Sequence, residues 1–215
     1  MPGDPLRVAV PKGRLSRGIA ARLCAAGLDP AVLADGDRRL IRDGEVGGLS
    51  LRFVMLKPDD VPTYVEHGAC DAGVVGRDVV RERDSDVYLP YDTGLGRCRM
   101  VVAAPEGYRA PPRWERLRVA TKYPRTAAEH FAARGQDVDV IFVQGSVETA
   151  PLAGLSDVIV DLVETGETLR SNGLAEVETV AEVSAVVAVN RVGMKLRREE
   201  VARLAALLGA TGSRS

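Results

Sequence analysis

Residues Asp157 to Leu169 read Asp-Val-Ile-Val-Asp-Leu-Val-Glu-Thr-Gly-Glu-Thr-Leu. An apolar run that reads as a buried strand passes directly into a Thr-Gly-x-Thr loop that opens a helix. Two hydroxyls (Thr165 and Thr168), several unpaired backbone N–H groups and a positive helix end can therefore converge on one point, the outline of a phosphate cradle. Gly166 would let the backbone approach an anion closely. Asp161 sits near the end of the apolar strand, where a carboxylate is costly unless a ribose hydroxyl or a hydrated metal partners it. The same stretch also reads as a plain N-cap Thr beginning a helix, with Asp161 bonded to neighbouring backbone.

A second group with possible chemistry is Val10-Pro11-Lys12-Gly13-Arg14-Leu15. Lys12 and Arg14 flank a glycine at the carboxyl end of the first strand and could bind phosphate, Lys as a compact charge and Arg as a fork. A solvated basic turn is the alternative, and neither GxxxxGK[ST] nor GxGxxG occurs in the chain. The third group is Lys57 to Gly68, followed by Asp71-Ala72-Gly73-Val74-Val75-Gly76-Arg77-Asp78. Gly73 and Gly76 bracket a tight, buried strand end, and Lys57 or Arg77 could face a ligand. Asp78 reads as the cap of the next helix, and His67 as a helix-end residue on the dipole rather than a base.

Other chemistries lose support. There is no GxSxG elbow and no HExxH pair, which counts against nucleophilic hydrolysis and zinc catalysis. The cysteines, Cys24, Cys70 and Cys98, are odd in number and far apart, so neither a disulfide frame nor a zinc site is expected. With 29 basic and 30 acidic residues, an anionic partner must be recognised by a local arrangement of donors; a small ligand suits that better than nucleic acid or a membrane. The opening Met-Pro-Gly-Asp-Pro has no positively charged leader and the chain has no 18-residue apolar stretch, from which a cytoplasmic setting is expected.

The elements that must position these groups follow a β-then-α rhythm, the pattern of a partly parallel sheet covered by helices. Strands are expected at Leu6–Val10, Leu49–Leu56 and Asp71–Val75, with helices at Leu15–Leu23 and Asp59–Glu66. A longer strand at Arg97–Ala104 leads to a second unit with strands at Leu117–Thr121, Val138–Val143 and Val158–Val163. Its helices are expected at Thr126–Arg134 and Val147–Ala153, with a first turn at Thr168–Ser171. Glu182–Val189 is read as extended and Glu199–Leu208 as a closing amphipathic helix before a frayed Gly/Ser tail. With 215 residues and 46% hydrophobic composition, the chain can bury about 70% of its extended surface, enough for one large or two small domains. Two α/β units joined near residues 92 to 97, with a strand and helix left over, suggest that the C-terminal segment returns to complete the first. The division is 1–93 with 182–215 as one lobe and 94–181 as the other, with a ligand cleft between them.

Several segments together resemble the ATP phosphoribosyltransferase family: Val-Pro-Lys-Gly-Arg-Leu at 10–15, Asp-Val-Pro-Thr-Tyr-Val-Glu-His-Gly at 60–68, Asp-Ala-Gly-Val-Val-Gly-Arg-Asp at 71–78 and Ala-Thr-Lys-Tyr-Pro at 120–124. So do Gly-Ser-Val-Glu-Thr-Ala-Pro-Leu-Ala-Gly-Leu-Ser-Asp at 145–157 and Asp-Leu-Val-Glu-Thr-Gly-Glu-Thr-Leu at 161–169. The resemblance implies an α/β fold of two-lobed periplasmic-binding-protein type, each lobe a mixed sheet flanked by helices. It implies a pentosyltransferase that joins ATP and phosphoribosyl pyrophosphate to N1-phosphoribosyl-ATP and pyrophosphate, the first step of histidine biosynthesis, with Mg2+ carried on the substrate and no direct protein ligation of metal. The length is similar to the short form, which works as a homodimer within a hetero-octamer that includes a regulatory subunit similar to histidyl-tRNA synthetase.

Carried onto this sequence, the resemblance implies that Asp161 and the loop Glu164, Thr165, Gly166, Glu167, Thr168 hold the 5-phosphate and ribose of phosphoribosyl pyrophosphate. Glu148 would contact ribose or metal-bound water. Lys12 and Arg14 would act on the pyrophosphate or the ATP phosphates as the catalytic cations, with Gly13, Lys57, Arg38 and Gly76 beside them. Family members commonly carry Arg where this chain has Lys57, and Lys keeps the charge but not the fork. The rivals are a non-enzymatic two-lobed ligand binder and a phosphoribosyltransferase of the common type. The first lacks an export signal or helix-turn-helix here; the second usually has paired acidic residues before its Thr-Gly loop, whereas Asp161 is followed by Leu162.

Overall fold

The computed structural model describes residues 4–36, 38–112 and 114–212. They form two compact units, Met1–Gly96 with Ser184–Ser215, and Arg97–Val183. In chain order, the first unit begins with β1 (Leu6–Pro11), α1 (Arg14–Ala25), β2 (Ile41–Val46), β3 (Leu49–Leu56), α2 (Val61–Glu66), β4 (Ala72–Gly76), α3 (Arg77–Arg83) and β5 (Tyr88–Asp92). The second unit holds β6 (Cys98–Pro105), β7 (Leu117–Thr121), α4 (Pro124–Ala132), β8 (Val138–Phe142), α5 (Thr149–Leu152), β9 (Val158–Val163), α6 (Glu167–Ser171) and β10 (Leu174–Val183). The chain then completes the first unit with β11 (Ala185–Val189), α7 (Arg191–Leu196), α8 (Arg198–Leu207) and β12 (Thr211–Gly212). No helix among the described residues is long and apolar enough to cross a membrane.

The first sheet runs β12-β5-β11-β4-β1-β3-β2. β1 is parallel to β3 on one side and to β4 on the other, so three strands send their carboxyl ends to one edge. β11, Ala-Val-Val-Ala-Val, is paired on both sides, by β4 and β5, and is buried throughout because Ala185, Val187 and Val189 pack in one core and Val186 and Ala188 in the other. One face packs on Ile19 and Leu23 of α1 and Val201, Leu204 and Ala205 of α8; the other packs on Val61 and Val65 of α2. Below the sheet, Asp71 accepts from the Arg7 backbone N–H at 2.9 Å and from its guanidinium at 3.0 Å, tying β4 to the start of β1.

The second sheet runs β10-β6-β9-β7-β8. β6 is antiparallel to both neighbours, whereas β7 is parallel to β8 and β9. Alternation along β6 divides its two cores: Met100, Val102 and Ala104 face α4, and Val101 and Ala103 face α5 and α6 with Ile159 and Val163 of β9.

Several elements differ from the sequence expectation. The extended segment expected at 182–189 is two strands, β10 beginning at Leu174 and β11 after Ser184, and they belong to different sheets. β10 escapes notice because it is an edge strand whose sequence, Leu-Ala-Glu-Val-Glu-Thr-Val-Ala-Glu-Val, is half exposed and bulged. The helix expected over 59–66 is a 3-10 turn, Pro58–Asp60, followed by α2. Asp78 does not cap α3: Gly76 holds the N-cap position without a side-chain bond, and Asp78 lies buried in the first turn. Of the Gly/Ser tail expected to fray, Thr211 and Gly212 pair with β5, and residues 213–215 lie outside the described residues.

Candidate functional site

Glu148, Asp161, Glu164, Thr165, Gly166, Glu167 and Thr168 all line one pocket of about 240 Å3 in the second unit, with Leu162, Val163 and Leu169. β9 delivers Asp161 and runs into the loop at its carboxyl end. Gly166 is in the left-handed region, φ 73° and ψ 7°, at the N-cap of α6, a conformation that favours glycine. A Cβ there would lie 3.0 Å from Arg170 Nη1 and 3.2 Å from Glu176 Oε1, so the back of the loop is closed by charged side chains. The Thr165 hydroxyl accepts from the Glu167 N–H at 3.4 Å. α6 is only five residues long, so its dipole is short; the cradle rests on the loop amides and hydroxyls rather than on a macrodipole.

Burial pushes the Asp161 carboxyl up to about 6; the Leu162 N–H, which donates to it at 2.8 Å, and Lys122 oppose this, and Glu148 adds to it. A half-buried carboxylate beside a second one suits a ligand with hydroxyl groups to donate. Lys122 is not among the site groups expected from sequence, and neither is the wall behind the loop. Arg99 on β6 makes a two-pronged contact to Glu176 on β10, at 2.7 and 3.0 Å. These residues come from other strands, and only the Ala-Thr-Lys-Tyr-Pro motif at 120–124 marked any of them in the sequence.

The other expected residues lie in the first unit. Lys12 follows β1, and its N–H donates to Leu56 O at 2.8 Å, which fixes it at the carboxyl edge beside the end of β3. Gly13 has φ 95° with no atom within 4 Å of a would-be Cβ, so glycine is demanded there by backbone conformation rather than by space. Lys12 and Gly13 line a pocket of about 150 Å3 with Ser16, Asp35, Gly36 and Arg42. Arg42 is buried, donating to Arg39 O at 3.0 Å, Val32 O at 3.2 Å and Ala34 O at 3.1 Å, and so shapes the segment that carries Arg38. Arg14 opens α1, Lys57 follows β3 and Arg38 precedes β2; all three are exposed and none lines this pocket. Gly76 ends β4, and a Cβ there would lie 2.1 Å from Asp78 Oδ1. The structure therefore gathers the seven expected sugar-phosphate residues in one pocket and distributes the expected cations along one sheet edge.

Residues 57–210 match the family model HisG, ATP phosphoribosyltransferase. A protein of Sorangium cellulosum named ATP phosphoribosyltransferase is 52% identical over 206 residues, 96% of this chain and 95% of the relative. The chain belongs to the ATP phosphoribosyltransferase family. That family catalyses the first step of histidine biosynthesis. The solved ATP phosphoribosyl transferase (HisG:HisZ) complex from Thermotoga maritima contains a chain that matches with a TM-score of 0.80 and 34% identity, covering 95% of this chain and 96% of that one. A substrate binding protein of an amino acid ABC transporter, 12% identical with a TM-score of 0.53 over 95% of this chain and 91% of that one, shares the fold alone. The periplasmic-binding-protein type of α/β fold, two mixed sheets flanked by helices, therefore holds for this family member.

Proposed function

We propose that this chain transfers the phosphoribosyl group of phosphoribosyl pyrophosphate to N1 of ATP, releasing pyrophosphate, as the catalytic subunit of the short form. The observation that carries the reading is the single pocket formed by Glu148, Asp161 and the 164–168 loop in a chain of this family. In this reading the loop amides with Thr165 and Thr168 hold the 5-phosphate, and Asp161 and Glu148 accept hydrogen bonds from the ribose hydroxyls. Lys12 and Arg14 stabilise charge on the departing diphosphate or the ATP phosphates, with Gly13, Lys57, Arg38 and Gly76 at the same sheet edge.

Adenine N1 already offers a lone pair and diphosphate is a good leaving group, so the protein has to align N1 with C1 and receive negative charge. No strong general base is needed. Direct displacement inverts C1 through an oxocarbenium-like state, and a trapped phosphoribosyl-enzyme would reject it. Mg2+ enters as part of the substrate, neutralising the diphosphate. The carboxylates of the pocket suit this, because single carboxylates can hold metal-bound water.

The match to a chain of the Thermotoga maritima HisG:HisZ complex supports a hetero-oligomer with a regulatory partner similar to HisZ; the hetero-octamer built on a homodimer is the assembly the short form implies. A cytoplasmic location accords with three free cysteines. The test is to incubate the chain with ATP, phosphoribosyl pyrophosphate and Mg2+, with and without such a subunit, and follow product absorbance. Product formation is expected. No product with either preparation, from folded protein, rejects the reading in favour of a ligand-binding role.

A further inference from the structure

The pocket poses an electrostatic problem. Its lining includes Glu148, Asp161, Glu164 and Glu167 but no Lys or Arg, although the ligand read for it is itself highly anionic. A cation close to the lining would ease that repulsion. Arg99, two residues along the neighbouring strand on the same face, is committed to Glu176 through both guanidinium nitrogens. Arg170 Nη1 lies 3.0 Å from where a Cβ on Gly166 would stand, with Glu176 Oε1 3.2 Å from the same point.

Lys122 is placed differently. β7 and β9 are parallel with Ala120 beside Ile159 and Thr121 beside Val160, so Lys122 leaves the end of β7 next to the residue pair that precedes Asp161. Ala120 and Ile159 both face the α5 and α6 side, and alternation along β9 returns Asp161 to that side two residues later. The ammonium lies 5.9 Å from the ring centroid of the buried Tyr123, and Lys122 is half-buried. Its field acts on Asp161 against that of Glu148.

We propose that Lys122 is a substrate-positioning residue, the resident positive charge that offsets Glu148 and Asp161 so that a sugar carrying phosphate and diphosphate can enter the pocket. This rests on the reading of the pocket as the phosphoribosyl pyrophosphate site. Lys122 acts through the carboxylates rather than by touching the reacting atoms, so its loss weakens binding more than turnover.

Isothermal titration of phosphoribosyl pyrophosphate with Mg2+, without ATP, tests this on the full chain. Lys122→Met is expected to raise Kd on the order of ten-fold, and Lys122→Arg to restore most of the affinity. In a Glu148→Gln/Asp161→Asn background the same Lys122→Met change should cost less than about two-fold, because nothing is left to offset. An equal loss in both backgrounds would overturn the proposal, as would native affinity in Lys122→Met. Thr165→Ala/Thr168→Ala separates the two readings. If that variant loses affinity while Lys122→Met does not, only the role of Lys122 fails; if it binds as the native chain does, the pocket assignment fails and the proposal with it.

Discussion

Asp161 carries a cost that its fold could easily have avoided, since Val160 and Leu162 on either side are apolar. Its carboxyl is pushed up to about 6 in the folded chain from an ordinary 3.8. The folded state therefore binds the proton more tightly than the unfolded one, so stability from this group is present below pH 4 and is lost as pH rises to 6. Two pKa units correspond to on the order of 3 kcal/mol. Asp161→Asn should accordingly be more stable than the native chain at pH 7.5, with the advantage vanishing near pH 4, in denaturant melts at the two values. An advantage of equal size at both would remove ionisation as its source. A destabilising carboxylate retained in a pocket is what ligand recognition requires. On the first unit, Lys12→Ala should lower kcat/KM by about 2–4 kcal/mol in barrier terms if its charge meets departing oxygens. Unchanged kinetics with an intact fold would rule that out.

Helix α2 approaches β4 closely enough that a Cβ on Gly73 would stand 2.9 Å from Val61 Cγ1 and from Val65 Cγ2, and 3.1 Å from Ala9 Cβ. All three neighbours are short, branched or backbone-anchored and cannot swing away, so Gly73→Ala should destabilise the first unit by about 1–3 kcal/mol. A thermal melt checks it, and an unshifted Tm would mean that the helix slides at no cost. At this scale much of the fold is legible in sequence. β7 and β9 coincide with their apolar runs because largely buried strands need no alternation to be recognised, and β3 coincides through its alternation of buried and more exposed residues. The glycine-bearing loop after β9 is legible for a similar reason, since its hydroxyls and glycine are neighbours in sequence. β10 is not, because an edge strand half in water reads as a polar loop, and β5, partly exposed and containing Pro90, is equally masked. Lys122 and Arg99 escape for another reason: their relation to the pocket exists only across the sheet, through registers that no local pattern encodes.

The connectivity of the whole chain makes the two units unequal. Arg97–Val183 is one continuous segment that contains every strand of its sheet, both of its apolar cores and all the residues of the larger pocket. Met1–Gly96 is incomplete, because β11 separates β5 from β4 and comes from the C-terminal segment. Without it, β4 would expose an edge and Val74, Val75, Val79 and Val80 would lose Val186, Val187 and Ala188 as packing partners. A fragment of residues 97–183 should therefore melt cooperatively, whereas a fragment of residues 1–96 should not. The isolated second unit should also retain phosphoribosyl pyrophosphate binding while lacking any transfer to ATP, since Lys12 and Arg14 are absent from it. Circular dichroism melts and calorimetric titration of the two fragments decide this. A folded 97–183 fragment that does not bind would mean that groups outside it are needed to hold the sugar phosphate, and a cooperative 1–96 fragment would mean that β11 is not the keystone of the first sheet.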